Sequence, residues 1–213
     1  MMKSFLRFYP FFPFVGLCFF VVLFVLAALD FPGGSFNYPH ATGYSFFNNF
    51  LCDVMEPVTK GGLPNPARSL AVFSHLVLSA TMVMFFYMLP EIVEKRNWRF
   101  YTTRYVGVLT MTVFAFMYTP YHDDIVTITG VLGSIALVPF FIELRAYPNN
   151  GLKRFAYLCF AMSLVVFFIF ETKIGFYYLP FLQKIAFLID ATWVLWVGIV
   201  VYQKNRVVYS YHP

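Results

Sequence analysis

Long apolar runs alternate with short polar connections along most of this chain. Six such runs cover about residues 11–29, 69–89, 105–121, 125–144, 155–170 and 183–202. A helix needs about 20 apolar residues to cross the hydrocarbon core of a bilayer, so runs of roughly this length with few charges indicate membrane-spanning helices. The pattern therefore predicts an all-α, polytopic membrane helix bundle with six transmembrane helices in a single domain, 1–213.

One connection is much longer than the others. It covers residues 30–68, between the first two runs, and is called the long loop below. Within it, the segment from Ser45 to Glu56 mixes polar residues with aromatic rings, which settle at the headgroup level of a membrane. Asn49 and Asp53 lie four apart, so a helix would place them on one face, and Ser45 suits its N-cap. We therefore expect a short interfacial helix over 45–56. It either covers a functional site as a lid or only seals the end of the helix bundle.

Composition supports the membrane assignment. The chain is 60% hydrophobic and only 12% charged, whereas soluble proteins are about half apolar and a quarter charged. A soluble domain of 213 residues has too little interior to bury so much apolar side chain.

Basic residues divide unequally between the two sides of the expected bundle. Eleven of the 15 Lys and Arg residues fall on the side of the termini. They are Lys3, Arg7, Lys95, Arg96, Arg99, Arg104, Arg145, Lys153, Arg154, Lys204 and Arg206. The positive-inside rule then places both termini in the cytoplasm, and we expect a bacterial inner (plasma) membrane. The net charge of +5 is explained by these topological anchors, so we expect membrane lipids and no nucleic acid as partners.

Acidic residues concentrate on the opposite, outer side. Every aspartate lies in an outer connection or in the outer half of a run, and His75 lies inside the second run. Ionisable side chains at such depth usually face a bundle interior or a wet cavity. The candidate pocket residues are Asn49, Asp53, His75, His122, Asp123, Asp124, Glu171, Lys184 and Asp190.

Two of these residues are expected to meet. Since the second and sixth helices both start from the outer face, His75 and Asp190 each lie roughly 10 Å deep at 1.5 Å per residue. We expect their side chains to be coupled within one pocket. His122, Asp123 and Asp124 are expected at the tip of a tight hairpin between the third and fourth helices.

Three interpretations of this pocket remain open. The polar groups are interhelical glue, in which His75 bonds to Asp190 or Ser79. Alternatively, His75, His122 and Asp124, or another nearby aspartate, bind Zn whose water attacks a lipid ester or amide. In the third, the acidic residues and Lys184 hold a headgroup or coupling ion without chemistry. We expect no haem, because His75 alone of the histidines lies in a run, and no nucleotide, because no phosphate-binding glycine motif follows a strand pattern.

The long loop also carries a recognisable motif. Its matching residues are Gly43, Tyr44, Ser45, Phe46, Asn49, Asp53, Gly62, Pro64, Asn65 and Ser69. On these residues the chain resembles a family of six-span bacterial and archaeal membrane proteins catalogued as a domain of unknown function, with the pattern G-Y-S-F-x-x-N-x-x-S-D-L-G followed by G-x-P-N. Cys52 stands where that pattern has Ser, and Val54 with Met55 replaces Leu-Gly.

The resemblance implies a six-span fold and no particular reaction. The family is distantly similar, in six-helix layout and polar first outer loop, to the eukaryotic six-span proteins of GPI-lipid remodelling and autophagy modulation. We therefore expect lipid or headgroup handling at a polar pocket facing the outer leaflet. The alternatives are an accessory subunit of a larger membrane complex, which implies partner subunits, and a metal-dependent lipid hydrolase.

Overall fold

Helices are the only extended regular elements among the residues that the computed structural model describes, 8–93 and 95–210, with side chains as far as 205. The long helices are α1 Phe12–Leu29, α2 Arg68–Met88, α3 Trp98–Phe114, α4 His122–Leu144, α5 Asn150–Thr172 and α6 Leu179–Ser210. Short 3₁₀ helices lie at Tyr9–Phe11, Asp53–Met55, Leu89–Ile92 and Phe176–Tyr178. Lys3, Arg7 and the Arg206 side chain, which entered the charge count, lie outside the described residues.

Five of the described helical segments are long and apolar enough to cross a membrane. They are Tyr9–Leu29, Arg68–Ile92, His122–Leu144, Asn150–Thr172 and Phe176–Asn205. The remaining long helix, α3, has 17 residues and begins with Trp98 and Arg99. The all-α helical bundle expected from the sequence is therefore confirmed, with five membrane-length helices and one shorter one.

The third helix lies earlier in the chain than the apolar run suggested. We expected residues 105–121, but α3 covers Trp98–Phe114. Asn97 caps its start, because the Asn97 side chain accepts a hydrogen bond from the Phe100 backbone N–H at 3.2 Å. This cap starts the helix among basic residues, so hydrophobicity alone misplaced both of its ends.

The expected hairpin tip at residues 122–124 is also wrong. His122, Asp123 and Asp124 form the first turn of α4, and residues 115–121 make the connection instead. Two carboxylates in this turn lie near the positive end of the helix dipole, which favours a helix start here.

The helices pack in two groups. The first is α1 to α4, in which each helix packs against the next, and the second is the α5–α6 hairpin. The hairpin touches the first group mainly where α6 meets α1 and the Tyr9–Phe11 turn, and it makes few close backbone contacts with α4. Space is therefore left between the hairpin and α2, α3 and α4.

The two ends of the bundle differ in character. Phe8 stacks on Tyr202 with ring centroids 5.9 Å apart, so both ends of the described chain lie at one end of the bundle, the terminal end. Ion pairs gather there: Arg104 contacts Glu91 at 2.5 Å, and Arg99 contacts Glu143 at 2.8 Å. The opposite end, the loop end, is covered by residues 30–67, whose Val54 and Met55 pack with Ala27, Phe31, Ala71 and Ile125 in a core of their own.

The close packing of α6 against the Tyr9–Phe11 turn, which precedes α1, supplies a test of this arrangement. A Cβ on Gly198 would lie 2.6 Å from the Pro10 carbonyl oxygen, a backbone atom that cannot rotate away. Overpacking of this kind costs about 1–3 kcal/mol, so we expect Gly198→Ala to lower the thermal unfolding temperature of the protein in detergent. Gly133→Ala is the matched control, since its nearest neighbour, Thr110 Cγ2, is 3.8 Å away and alanine favours a helix. Equal unfolding temperatures for the two variants would contradict the contact between α6 and the Tyr9–Phe11 turn.

Candidate ligand cavity and the loop that covers it

The long loop is folded through its own backbone bonds despite having little helix. Antiparallel bridges join Gly33 to Thr42 and Val58 to Pro64. The first bridge is supported by the Gly34 N–H, which donates to the Ala41 carbonyl at 2.7 Å. The loop thus has two small lobes, the first around the Gly33–Thr42 bridge and the second around the Val58–Pro64 bridge, and Asn49 lies between them in the chain.

The interfacial helix predicted for Ser45–Glu56 is wrong. The segment makes a turn at residues 46–48 and a 3₁₀ helix at Asp53–Met55. The cause is side-chain bonding: Asp53 Oδ2 accepts from the Phe50 backbone N–H at 2.9 Å and from Asn49 Nδ2 at 2.9 Å. Asn and Asp side chains that bond to nearby backbone offer it an alternative to a helix.

Asn49 lies at the centre of the loop and is almost completely buried, with 1% of its surface exposed. Its Oδ1 accepts from the Ser45 backbone N–H at 2.9 Å, and its Nδ2 donates to the Gly34 carbonyl at 2.8 Å as well as to Asp53. One amide therefore joins both lobes. Burial raises the pKa of the Asp53 carboxyl, and the hydrogen bonds from Asn49 and Phe50 offset part of that rise.

Lys184, in the second turn of α6, fastens this centre to the helix bundle. Its ammonium donates to the Asn49 carbonyl and, at 3.0 Å, to the Pro180 carbonyl. The ammonium also lies 5.6 Å from the Tyr44 ring centroid and 5.4 Å from that of Phe46. Asn49, Asp53 and Lys184, three of the predicted pocket residues, are thus brought together and are called the clasp below.

The second half of the motif folds the second lobe. Asn65 Nδ2 donates to the carbonyls of Val54 and Glu56, each at 2.8 Å, and its Oδ1 accepts from the Ala67 N–H at 3.1 Å. Gly62 has a φ of +83°, a left-handed conformation that favours glycine. The fold of the loop is therefore enough to explain why Asn65 and Gly62 stand at these positions, and no catalytic role is needed for them.

A large cavity lies beneath the loop, between the α5–α6 hairpin and α2, α3 and α4. Its volume is about 1030 Å³. Its wall is mostly apolar and rich in aromatic rings. The rings lining it include Phe85, Phe86, Phe114, Phe140, Phe141, Phe160, Phe167, Phe170, Phe187 and Trp193.

The loop end of this cavity, its mouth, carries most of its charged groups. Lys60 pairs with Glu56 at 2.7 Å, and His122 Nδ1 lies 2.8 Å from Asp123 Oδ1. Lys173 adopts a left-handed backbone conformation, with φ +60°, at the C-cap of α5. Its ammonium lies 4.0 Å from the centroid of the Phe170 ring. The mouth therefore carries two charge pairs and one lysine that lies against an aromatic ring, while the interior of the cavity is mostly apolar.

One carboxyl lies deeper, away from the mouth. Asp190 Oδ2 accepts a hydrogen bond from Ser163 Oγ across a distance of 3.5 Å, and Cys159 lines the same part of the cavity. Sequence reasoning found Asp190 but missed Ser163, whose signal is a small polar residue near the middle of an otherwise apolar run. It also missed Lys173, which the charge count used only as a topological marker.

The expected coupling of His75 with Asp190 does not form. His75 Nε2 lies 2.8 Å from the Phe114 carbonyl oxygen, and the ring lines a smaller, adjoining cavity of about 160 Å³ that Asp190 does not line. The reason is depth: α6 begins at Leu179, so Asp190 lies about 16 Å along its helix, whereas His75 lies about 10 Å along α2. The hydrogen bond that His75 makes between helices therefore joins α2 to α3, from the imidazole ring to a backbone carbonyl.

The remaining predicted residues lie at the loop end but do not converge. Asp124 is exposed in the first turn of α4, and Glu171 accepts from Thr127 Oγ1 at 2.6 Å, which links α5 to α4. Among the side chains that the structure describes, no group of three or more His, Cys, Asp or Glu is placed to hold a metal ion. The zinc site of His75, His122 and Asp124 thus gains no geometric support and stays a prediction for elemental analysis.

The clasp can be tested by proteolysis at Lys60, an exposed trypsin site in the second lobe. Leaving buried polar groups unpaired costs about 1–3 kcal/mol, so we expect Asn49→Ala to open the loop and raise the rate of cleavage after Lys60 by about tenfold. Asn48→Ala is the matched control, because the Asn48 side chain donates only to Ser45 Oγ within the same turn. Mass spectrometry of the fragments measures the rates, and similar rates for both variants would show that Asn49 does not hold the loop.

Known proteins give no template for this cavity. No family model, no curated protein and no solved structure matches the chain. The function is therefore argued from the geometry of the cavity and the loop.

Proposed function

We propose that this protein is a six-span integral membrane protein that binds a lipid-like amphiphile in the cavity beneath the long loop. The observation that supports this proposal most strongly is the cavity itself. It measures about 1030 Å³, its wall is mostly apolar, and charged side chains lie at one end. Cavities that hold small molecules measure about 300–1,000 Å³ and combine apolar walls with a few polar groups. The volume suits a ligand at the upper end of that range.

The outer surface of the helices supports membrane insertion. On α4, the exposed side chains of Ile128, Val131, Ile135 and Val138 follow one another at intervals of three or four residues and form a single apolar stripe. A second exposed stripe on α1 consists of Val15, Phe19, Val22, Leu26 and Leu29. Soluble monomers rarely expose contiguous apolar patches of this kind, whereas lipid covers them at no cost.

The sixth crossing is the short helix α3. Its basic residues lie in its first two turns, where Arg104 contacts Glu91 and lies 4.3 Å from the Tyr87 ring centroid. Arginine near the end of a spanning helix can place its charge at the interface while its stem stays in the apolar region. A helix of 17 residues, continued by the turns of residues 115–121, is then long enough to cross.

The size of the cavity argues against an empty bundle held by polar glue. Protein interiors are close-packed and leave few voids larger than a water molecule, so a space of about 1030 Å³ between the helices has to be filled by something other than side chains. Its mostly apolar wall favours an apolar molecule over water, and the surrounding bilayer is the nearest source of one.

The orientation follows from the two ends of the bundle. The positive-inside rule places the terminal end in the cytoplasm, so the long loop and the mouth of the cavity face outward. We expect a cysteine at Lys60 to react with a membrane-impermeant maleimide in intact cells, in a background where Cys18, Cys52 and Cys159 are alanine. A cysteine at Lys95, which is also exposed but lies at the terminal end, is the control and reacts only after the cells are permeabilised. The reverse labelling pattern would invert the topology.

Two adjacent valines of α5 test the binding proposal. Val166 lines the cavity, whereas Val165 is exposed on the outer side of the helix and does not. We expect Val166→Trp to fill part of the cavity and to reduce several-fold the amphiphile that co-purifies in mild detergent, while Val165→Trp leaves it unchanged. Organic extraction and mass spectrometry of the purified protein measure the amount.

The same preparation separates the alternatives. An equal amphiphile content in the two tryptophan variants would contradict binding in the cavity. A second protein that co-elutes stoichiometrically, with no amphiphile retained, would favour the accessory-subunit function instead.

A further inference from the structure

Asp190 lies near the middle of the proposed membrane-spanning region. It is 11 residues after Leu179, which starts α6, and thus about 16 Å along the helix axis. Ser163, its hydrogen-bond partner, is nine residues before Thr172, which ends α5. Both helices therefore bring this pair to a similar depth, roughly halfway across a hydrocarbon core of about 30 Å.

No basic side chain pairs with Asp190 within the described residues. The basic groups that line the cavity are Lys60, His122 and Lys173, and each lies at its mouth. Lys184 is on the same helix, but its ammonium is bound to the carbonyls of Asn49 and Pro180. The hydroxyl of Ser163, at 3.5 Å, gives a long and weak hydrogen bond. The acidic group is thus without a counter-ion in an apolar cavity.

Aromatic rings surround the same position. Phe187 and Trp193 lie three residues before and after Asp190, so they share its face of α6, and all three line the cavity. Phe160 and Phe167 line it from α5. The negative faces of aromatic rings attract cations, most strongly where water is excluded.

The balance of charge in the cavity has a definite sign. Its lining contains four carboxyl groups, Asp53, Glu56, Asp123 and Asp190, against two lysines and His122. At the mouth, Glu56 pairs with Lys60, Asp123 lies beside His122, and Asp53 is bonded to Asn49. Lys173 forms no ion pair among the described side chains, and its ammonium lies against the Phe170 and Phe176 rings at the mouth. Asp190 is the carboxyl that lies away from all of these basic groups, so the interior of the cavity favours a positive charge and repels an anion at this depth.

We propose that the bound amphiphile carries a cationic nitrogen that pairs with Asp190, with its apolar body against the aromatic wall. This inference rests on the proposed function, since it specifies the ligand of the same cavity. A lone ionised carboxyl is costly at the centre of a membrane, whereas a cationic ligand supplies the missing partner in a region where opposite charges attract far more strongly than in water. With an uncharged ligand the carboxyl gains no partner, and a carboxyl without one takes up a proton in an apolar site, so the cavity then has no preference for charge.

The test uses the purified full-length protein in mild detergent and radiolabelled tetraphenylphosphonium, a compact lipophilic cation. We expect saturable binding to the wild type and a loss of affinity of about tenfold or more in Asp190→Asn, which keeps the shape and removes the charge. Asp190→Glu keeps the charge and should restore most of the affinity. Asp30→Asn, which removes an exposed carboxylate just after α1 that does not line the cavity, should bind the cation as the wild type does.

Uncharged and long-chain competitors complete the design. Triphenylphosphine oxide, which has a similar apolar body without the charge, should displace the cation only at much higher concentration, a comparison that needs no variant. Dodecyltrimethylammonium represents an amine-bearing lipid, and stronger displacement by it than by unlabelled tetraphenylphosphonium would support the proposal and assign the site to a lipid-type cation. The reverse order would also support it and assign the site to compact lipophilic cations.

Two results would overturn the inference. They are unchanged cation affinity in Asp190→Asn and equal displacement by the uncharged competitor. Either result leaves the proposed function standing as long as Val166→Trp still reduces the co-purified amphiphile. If the tryptophan variant has no effect on amphiphile content, the proposed function itself fails.

Discussion

The contact between Lys184 and the Asn49 carbonyl determines how the loop end of this molecule is built. A buried ammonium must find acceptors, and here it finds one in the long loop and one in its own helix. Asn49, in turn, bonds to backbone or side chain on three sides, so the position of the ammonium fixes both lobes of the loop. Gln183 adds a second connection from the same turn of α6, by accepting from the Leu51 N–H at 3.0 Å. The cover of the cavity is therefore attached to the helix that carries Asp190.

The cavity arises from the way the α5–α6 hairpin stands against the other helices. Large aromatic side chains, such as Phe141 against Phe160 with centroids 4.8 Å apart, hold α4 and α5 at a distance. One close contact between α4 and α5 lies at Gly130, where the Phe167 ring occupies the place that a Cβ would take. The result is a space lined along its sides by aromatic rings and covered at one end by the long loop.

Much of the helical architecture could be predicted from the sequence, because long apolar runs have few alternatives in or near a membrane. The starts of α3 and α4 could not, since the Asn97 cap sets the first and the carboxylates of Asp123 and Asp124, near the positive end of the helix dipole, favour the second, and hydropathy records neither effect. The loop was mispredicted for the same reason: Asn49 and Asp53 have the spacing of a helical face, but their side chains satisfy the backbone directly. Asn49, Asp53 and Lys184 do come together, whereas His75 and Asp190 do not, because a four-residue error in the start of α6 moves a side chain by about 6 Å.

Lys173 shows how stability and ligand chemistry compete at a single position. Its left-handed conformation costs a residue with a Cβ about 1–2 kcal/mol, and glycine would adopt it freely. A glycine there would strengthen the end of α5 but remove a positive charge from the mouth of the cavity. Selection for a firmer backbone and selection for charge at the mouth therefore favour different residues at this site. In related sequences of the same fold, the residue at this position would show which of the two pressures has been stronger.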